Sequence, residues 1–138
     1  MTQNFTWFVF LIVGGILFFS FTDNVREPDL EKSMQRGKVI YGNYCQTCHM
    51  QNGLGLEGVF PPLAKSDYLM KDRKRAIRQV LYGASGKMVV NGKTYNGNMS
   101  PTGLNAKQTA DVLNYITNSW GNKAKMFTPK EVKAAQKK

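Results

Sequence analysis

The chain opens on an almost unbroken apolar run from Phe5 to Phe21, with no charged side chain before Asp23. A run of that length and composition reads as either a membrane anchor or a secretion signal. The polar stretch after it contains Pro28 and reads as a linker over residues 23–30. From Leu30 to Tyr44, Met34, Gly37, Tyr41 and Tyr44 recur three or four positions apart, which predicts a helix. Gly37 weakens that helix relative to alanine and suggests another backbone passing close by. Residues 51–63 hold three glycines and two prolines and predict a loop. Helical spacing returns from Asp67 to Tyr82, with Ala76, Ile77, Val80 and Leu81 on the inner side. Met88 to Tyr95 reads as a small hairpin, because Asn91-Gly92 is a favoured two-residue turn. Asn105 to Ser119 is the strongest helical stretch, with Ala110, Leu113, Ile116 and either Val112 or Tyr115 facing inward. Thr128-Pro129-Lys130-Glu131 has the form of a capping box opening a short last helix.

This pattern divides the chain into an anchor or signal at 1–22, a linker at 23–30, and one domain at 31–138 that ends in a basic helix or tail. The 138 residues are enough for one domain and not comfortably for two. A signal needs a basic start and a small-x-small cleavage site. No Lys or Arg precedes the run, and Ser20-Phe21-Thr22 matches poorly. An anchor needs about 17 to 25 apolar residues, which Phe5 to Phe21 just reaches. Both readings stay open. Lys plus Arg outnumber Asp plus Glu by 19 to 9, and the net charge of +10 all lies after residue 22. That charge predicts a negative partner or surface. Nucleic acid is not expected, because the apolar start directs the domain across a membrane and no nucleic-acid motif accompanies the charge.

The chemistry is concentrated in Cys45-Gln46-Thr47-Cys48-His49. Two thiols at this spacing can each bond one vinyl group of a single haem, and the next residue sets its imidazole under the iron. A redox disulfide would expect a thioredoxin-like strand and helix context, which the pattern lacks. A zinc site would need two more ligands, and the chain has no other Cys or His. One covalent haem c is therefore the implied cofactor, with His49 as an iron ligand. As the single histidine, His49 also excludes bis-histidine ligation. The sixth ligand is then a methionine, a weaker group or nothing. Of the seven methionines, Met1 is terminal, Met50 adjoins His49, and Met34 points along the first helix. Met70, Met88, Met99 and Met126 remain. Met99 is favoured, because it sits in Asn96 to Gly103, a polar stretch with glycine and proline where a methionine has no core to fill.

With these residues in view, positions 31 to 120 resemble a class I cytochrome c. Gly37, Tyr41 and Cys45 match that family's first helix, and Asp111 to Ile116 match its last, whose aromatic packs across the glycine. Pro61 and Leu63 match the family's loop proline and haem-packing leucine. The resemblance implies an all-α fold, with three to five helices around one haem and a small β-hairpin. It also implies that the Pro61 carbonyl accepts a hydrogen bond from His49 Nδ1, which would fix the tautomer and raise ring basicity. The hairpin resembles small bacterial cytochromes, membrane-anchored or periplasmic, and the cytochrome c domains of copper nitrite reductases.

The implied function is single-electron transfer between redox partners on the outer face of the cytoplasmic membrane, in a periplasmic and tethered or soluble form. With His49 and Met99 both on iron no substrate binds there, so the expected protein is a carrier and not an enzyme. Acidic redox-partner proteins, a reductase or oxidase, are the expected partners, with residues 5–21 meeting the membrane. Lys71, Arg73, Lys74, Arg75 and Arg78 crowd one helix and suit electrostatic steering; the plain alternative is a solvated face. The lysine-rich stretch from Lys123 to Lys138 reads as a tail that lies on anionic lipid or frays. Two other functions are weighed: a fixed subunit of a larger reductase or oxidase complex, and a haem enzyme or gas sensor with an open iron position. The last lacks a second histidine for distal acid–base work.

Overall fold

The computed structural model describes residues 26–136. The apolar run at 5–21, read as anchor or signal, lies outside the described residues. Among those described, no helix is long and apolar enough to cross a membrane. Helix α1 spans Arg26–Tyr44 and is followed by the single turn α2, Gln46–His49. Helices α3, Asp67–Lys71, and α4, Arg73–Tyr82, come next. The strands β1, Ala84–Val90, and β2, Lys93–Met99, then form an antiparallel hairpin. Helices α5, Ala106–Ile116, and α6, Pro129–Gln136, complete the order.

Three boundaries differ from the sequence reading. Helix α1 already covers residues 26–30, inside the expected linker, and Pro28 lies in its first described turn. The helix expected over 67–82 is broken at Asp72, which is extended (φ −139°) and whose carboxylate accepts the Arg75 amide at 2.9 Å. An aspartate inside a cationic run is an N-cap in place. Met99 closes strand β2 and does not sit in a free loop. The hairpin turn sets that register: Asn91 (φ 49°) and Gly92 (φ 77°) take the left-handed conformations that match strand twist. The ladder then runs from Val90–Lys93 out to Ala84–Met99 despite the poor strand formers between.

The core forms where α1 crosses α5. A Cβ on Gly37 would lie 2.0 Å from the Asp111 carbonyl oxygen and 2.8 Å from Tyr115 Cβ, so only glycine permits this approach. Tyr41, Tyr115 and Trp120 pack beside the crossing with ring centroids 5.2–5.4 Å apart. Asn105 caps α5 with a full capping box, and Ala110, Val112, Leu113 and Ile116 are buried as the spacing predicts.

Polar clips fix the flanking elements. Asp111 accepts from Ser33 Oγ at 2.6 Å, from Arg36 at 2.7 Å and from Lys107 Nζ at 3.0 Å. Asn114 accepts the Phe127 amide at 2.6 Å and donates to the Phe127 carbonyl at 3.0 Å and to Ser33 Oγ at 2.9 Å. The lysine-rich stretch is therefore not frayed over its described part. Phe127, Val132 and Ala135 are buried, and Thr128 Oγ1 accepts the Glu131 amide as the capping box predicts. The Glu131 carboxylate turns to Arg73, which also stacks on the Phe127 ring at 3.7 Å.

Replacing Gly37 with alanine would gain about 1 kcal/mol of helix propensity. The clash with a backbone carbonyl outweighs it, for a net loss of about 3 kcal/mol. The urea midpoint of Gly37→Ala is expected to fall accordingly, and an unchanged midpoint contradicts the close crossing. Burial raises the Asp111 carboxyl, but the bonds from Arg36, Ser33 and Lys107 outweigh it and hold it below the usual carboxylate range. A depressed carboxyl contributes stability above its unfolded value of about 3.9 and loses it as pH falls through the lower folded value. Urea midpoints of wild type should drop on acidification below about pH 4. Asp111→Asn should be weaker at neutral pH and flatter in that acid range.

Candidate functional site

Cys45, Cys48 and His49 stay on a helical ladder as α1 gives way to α2. The Cys45 amide donates to the Tyr41 carbonyl at 2.9 Å, and the His49 amide to the Cys45 carbonyl at 2.9 Å. Met50 then turns the chain with a positive φ of 61°, and its carbonyl is held by the Tyr41 hydroxyl at 2.6 Å. The following loop folds back on itself. Gly55 N–H donates to the His49 carbonyl at 3.0 Å, and Leu63 and Ala64 both donate to the Gly53 carbonyl. Gly55 (φ 63°) makes the fold-back possible, since a Cβ there would meet the Phe60 oxygen at 2.3 Å.

This loop brings the Pro61 carbonyl to 3.0 Å from His49 Nδ1. A carbonyl only accepts, so Nδ1 carries the proton and Nε2 keeps its lone pair. Burial pulls the imidazole below the ordinary histidine range, with the Pro61 bond acting in the opposite direction. The ring is thus neutral at pH 7, the form that binds a metal ion. Burial, with Cys48 adding to it, pushes the Cys45 thiol up to about 11.

Cys45, Cys48 and His49 line one wall of a cavity of about 410 Å³. Pro61 and Leu63 add the loop side, Leu69, Ala76 and Val80 the α3–α4 side, and Val112 and Ile116 the α5 side. The hairpin supplies the remaining wall with one face of its ladder: Ala84, Met88 and Val90 from β1, and Tyr95, Gly97 and Met99 from β2. All six residues singled out from the sequence, Cys45, Cys48, His49, Pro61, Leu63 and Met99, therefore meet on one cavity. Of the four methionines left open, Met88 and Met99 line it, and Met70 and Met126 do not.

The sequence reading missed what holds the hairpin in place. Asp67 and Asn91 exchange hydrogen bonds, Asn91 N–H to Asp67 Oδ1 at 2.7 Å and Asp67 N–H to Asn91 Oδ1 at 3.0 Å. Gly83 lets the end of β2 approach, since a Cβ on it would lie 2.1 Å from the Met99 carbonyl oxygen. Thr102 Oγ1 donates to the Val80 carbonyl at 2.7 Å just beyond. A glycine directly after a helical pattern was the available signal for the second of these. The first links residues 24 apart and has no local signature.

The donor set fits a haem. A mostly apolar cavity suits a flat apolar macrocycle, two thiols lie beside a neutral imidazole, and thioethers lie on the hairpin wall. The Cytochrome c family model matches residues 34–120. Two cytochromes c-552 of Thermus thermophilus are similar along most of their length. One is 36% identical over 143 aligned positions, covering 96% of this chain and 86% of that protein. The other is 41% identical over 112 positions, covering 74% and 85%. The cytochrome c subunit of alcohol dehydrogenase (quinone) from Gluconacetobacter polyoxogenes is 33% identical over 92 residues, which are 64% of this chain and 19% of that subunit.

Proposed function

The chain belongs to the cytochrome c family, and from that premise we propose that it carries single electrons between redox partners on the outer face of the cytoplasmic membrane. Members of the family hold haem c covalently, and the bound group supplies a one-electron ferric–ferrous couple. In this chain Cys45 and Cys48 would hold it, and His49 Nε2 and Met99 would be the iron ligands. The observation that carries this reading is the 3.0 Å contact of His49 Nδ1 with the Pro61 carbonyl, beside both thiols and across a cavity from the hairpin.

Each residue has a separate task. The Pro61 carbonyl keeps the imidazole in one tautomer and orientation. Leu63, Leu69, Val80, Val112 and Ile116 exclude water, and low polarity around an iron centre disfavours its more charged oxidised state. A thioether from Met99 acts in the same direction. With His49 and Met99 both as ligands the iron would keep no position for a substrate, which supports a carrier and not an enzyme. Export of the domain behind residues 5–21 is consistent with covalent haem attachment outside the cytoplasm. The net charge of +10 favours acidic partner proteins.

A second reading, a fixed subunit of a larger dehydrogenase or oxidase complex, draws support from the likeness to quinone alcohol dehydrogenase subunits over one stretch of their length. Co-purification of a partner after mild detergent extraction would favour it.

The ligand assignment has a direct test in the optical and electron paramagnetic resonance spectra of the ferric holo-protein. Met99→Ala is expected to turn a low-spin iron high-spin, and Met88→Ala to leave it low-spin. A low-spin Met99→Ala protein, or a high-spin Met88→Ala protein, would move the ligand to Met88 or elsewhere.

A further inference from the structure

A second cleft, of about 490 Å³, lies between α4 and β1 on the outer side of the cofactor cavity. Lys74, Arg75 and Arg78 enter it from α4 and Lys87 from β1. Among the described residues no carboxylate pairs with any of these four. The one acid on the lining, Asp72, uses its carboxylate to cap α4 at the Arg75 amide. Cations crowded along one helix destabilise it slightly, Lys74 and Arg78 being a like-charged i,i+4 pair.

The structure divides the basic helix by role. Arg73 is spent on the fold, bonded to Glu131 and to the carbonyls of Lys125 and Met126. Arg75 stacks on the Tyr68 ring at 3.7 Å and donates one N–H to the Tyr68 carbonyl, so its guanidinium is held in place at the cleft. Arg78 lies over the Tyr82 ring at 5.4 Å. Lys74 and Lys87 are exposed on opposite sides. Two held guanidiniums and two free ammoniums around one cleft present several positive charges together, a pattern that complements a carboxylate-rich protein surface.

Position adds the second half of the inference. Tyr68, Gln79, Ala84 and Met88 line both this cleft and the cofactor cavity. A partner seated in the cleft is separated from the cavity by single side chains. We propose that the α4–β1 cleft is the docking site for an acidic redox partner, with Lys74, Arg75, Arg78 and Lys87 as its contacts, and that electrons cross at the shared wall. The proposal rests on the electron-carrier reading and adds where, and through which residues, the partner binds.

The test uses the holo-protein and two variants of equal charge change. Lys74→Glu/Lys87→Glu reverses the free ends of the cleft, and Lys32→Glu/Lys38→Glu reverses two exposed lysines of α1. Amide chemical shifts of the reduced protein are followed during titration with a poly-glutamate peptide and, separately, with phosphatidylglycerol vesicles. Electron exchange with anionic hexacyanoferrate and cationic hexaammineruthenium is measured over a range of ionic strength. The peptide is expected to shift amides around Lys74 and from Gly83 to Lys87. Exchange with hexacyanoferrate at low salt should fall about tenfold in the cleft variant, with a flatter salt dependence, and change little in the α1 variant. Equal losses in the two variants, or no loss in the cleft variant, overturn the docking site while electron exchange itself persists. Shifts at the cleft with vesicles and none with peptide overturn it in favour of lipid. Absence of exchange with both reagents in wild type overturns the carrier reading and the proposal together.

Discussion

The hydrogen bond between His49 Nδ1 and the Pro61 carbonyl, at 3.0 Å, ties the end of α2 to the far side of the loop that follows it. Its geometry depends on parts of the chain that are distant in sequence. The Tyr41 hydroxyl holds the Met50 carbonyl where the loop begins, and Tyr41 is itself buried against Tyr115 and Trp120. Asn122 donates to the Leu63 carbonyl at 2.9 Å where the loop ends. Position and tautomer of one imidazole thus rest on α1, α5 and the segment between α5 and α6 together. That dependence explains why the tightest backbone approach, at Gly37, lies a full two turns before the first cysteine.

The opposite wall is secured by different means. The hairpin shows little apolar surface except on its inner face, where Val90 and Tyr95 are buried. Two isolated strands are marginal in water, so its position comes from the Asp67–Asn91 exchange at one end and the Gly83 and Thr102 contacts at the other. Each wall of the cavity belongs to a different element, and Leu69, Ala76, Val80, Val112 and Ile116 turn one side to it while joining the buried core on the other. A small domain buries a modest core from its own residues, and here much of the available apolar surface faces the cofactor.

Legibility in the sequence followed the range of each interaction. Cys45, Cys48, His49 and the inner faces of α4 and α5 were readable because spacing alone carries them. Pro61 and Leu63 came from resemblance, and the geometry places both on the cavity. The break at Asp72 was hidden because a capping aspartate among cations looks like one more surface charge. The buried Phe127, Val132 and Ala135 were hidden by lysines, whose number suggested a loose tail. Arg73 looked like part of a docking face, although its partner Glu131 lies 58 residues away. Asn114, fully buried and bonded to α1 and to Phe127, gives no sign of its role until α1, α5 and the last segment are brought together.

One covalently held haem, seated against His49, would complete the core of this fold. Equilibrium unfolding followed by far-ultraviolet circular dichroism, comparing the holo-protein with Cys45→Ala/Cys48→Ala produced in the same host, tests it most directly. A variant that loses most of its helical signal and its cooperative transition is the expected result. A variant that keeps the full helical signal and melts cooperatively without haem would contradict the claim.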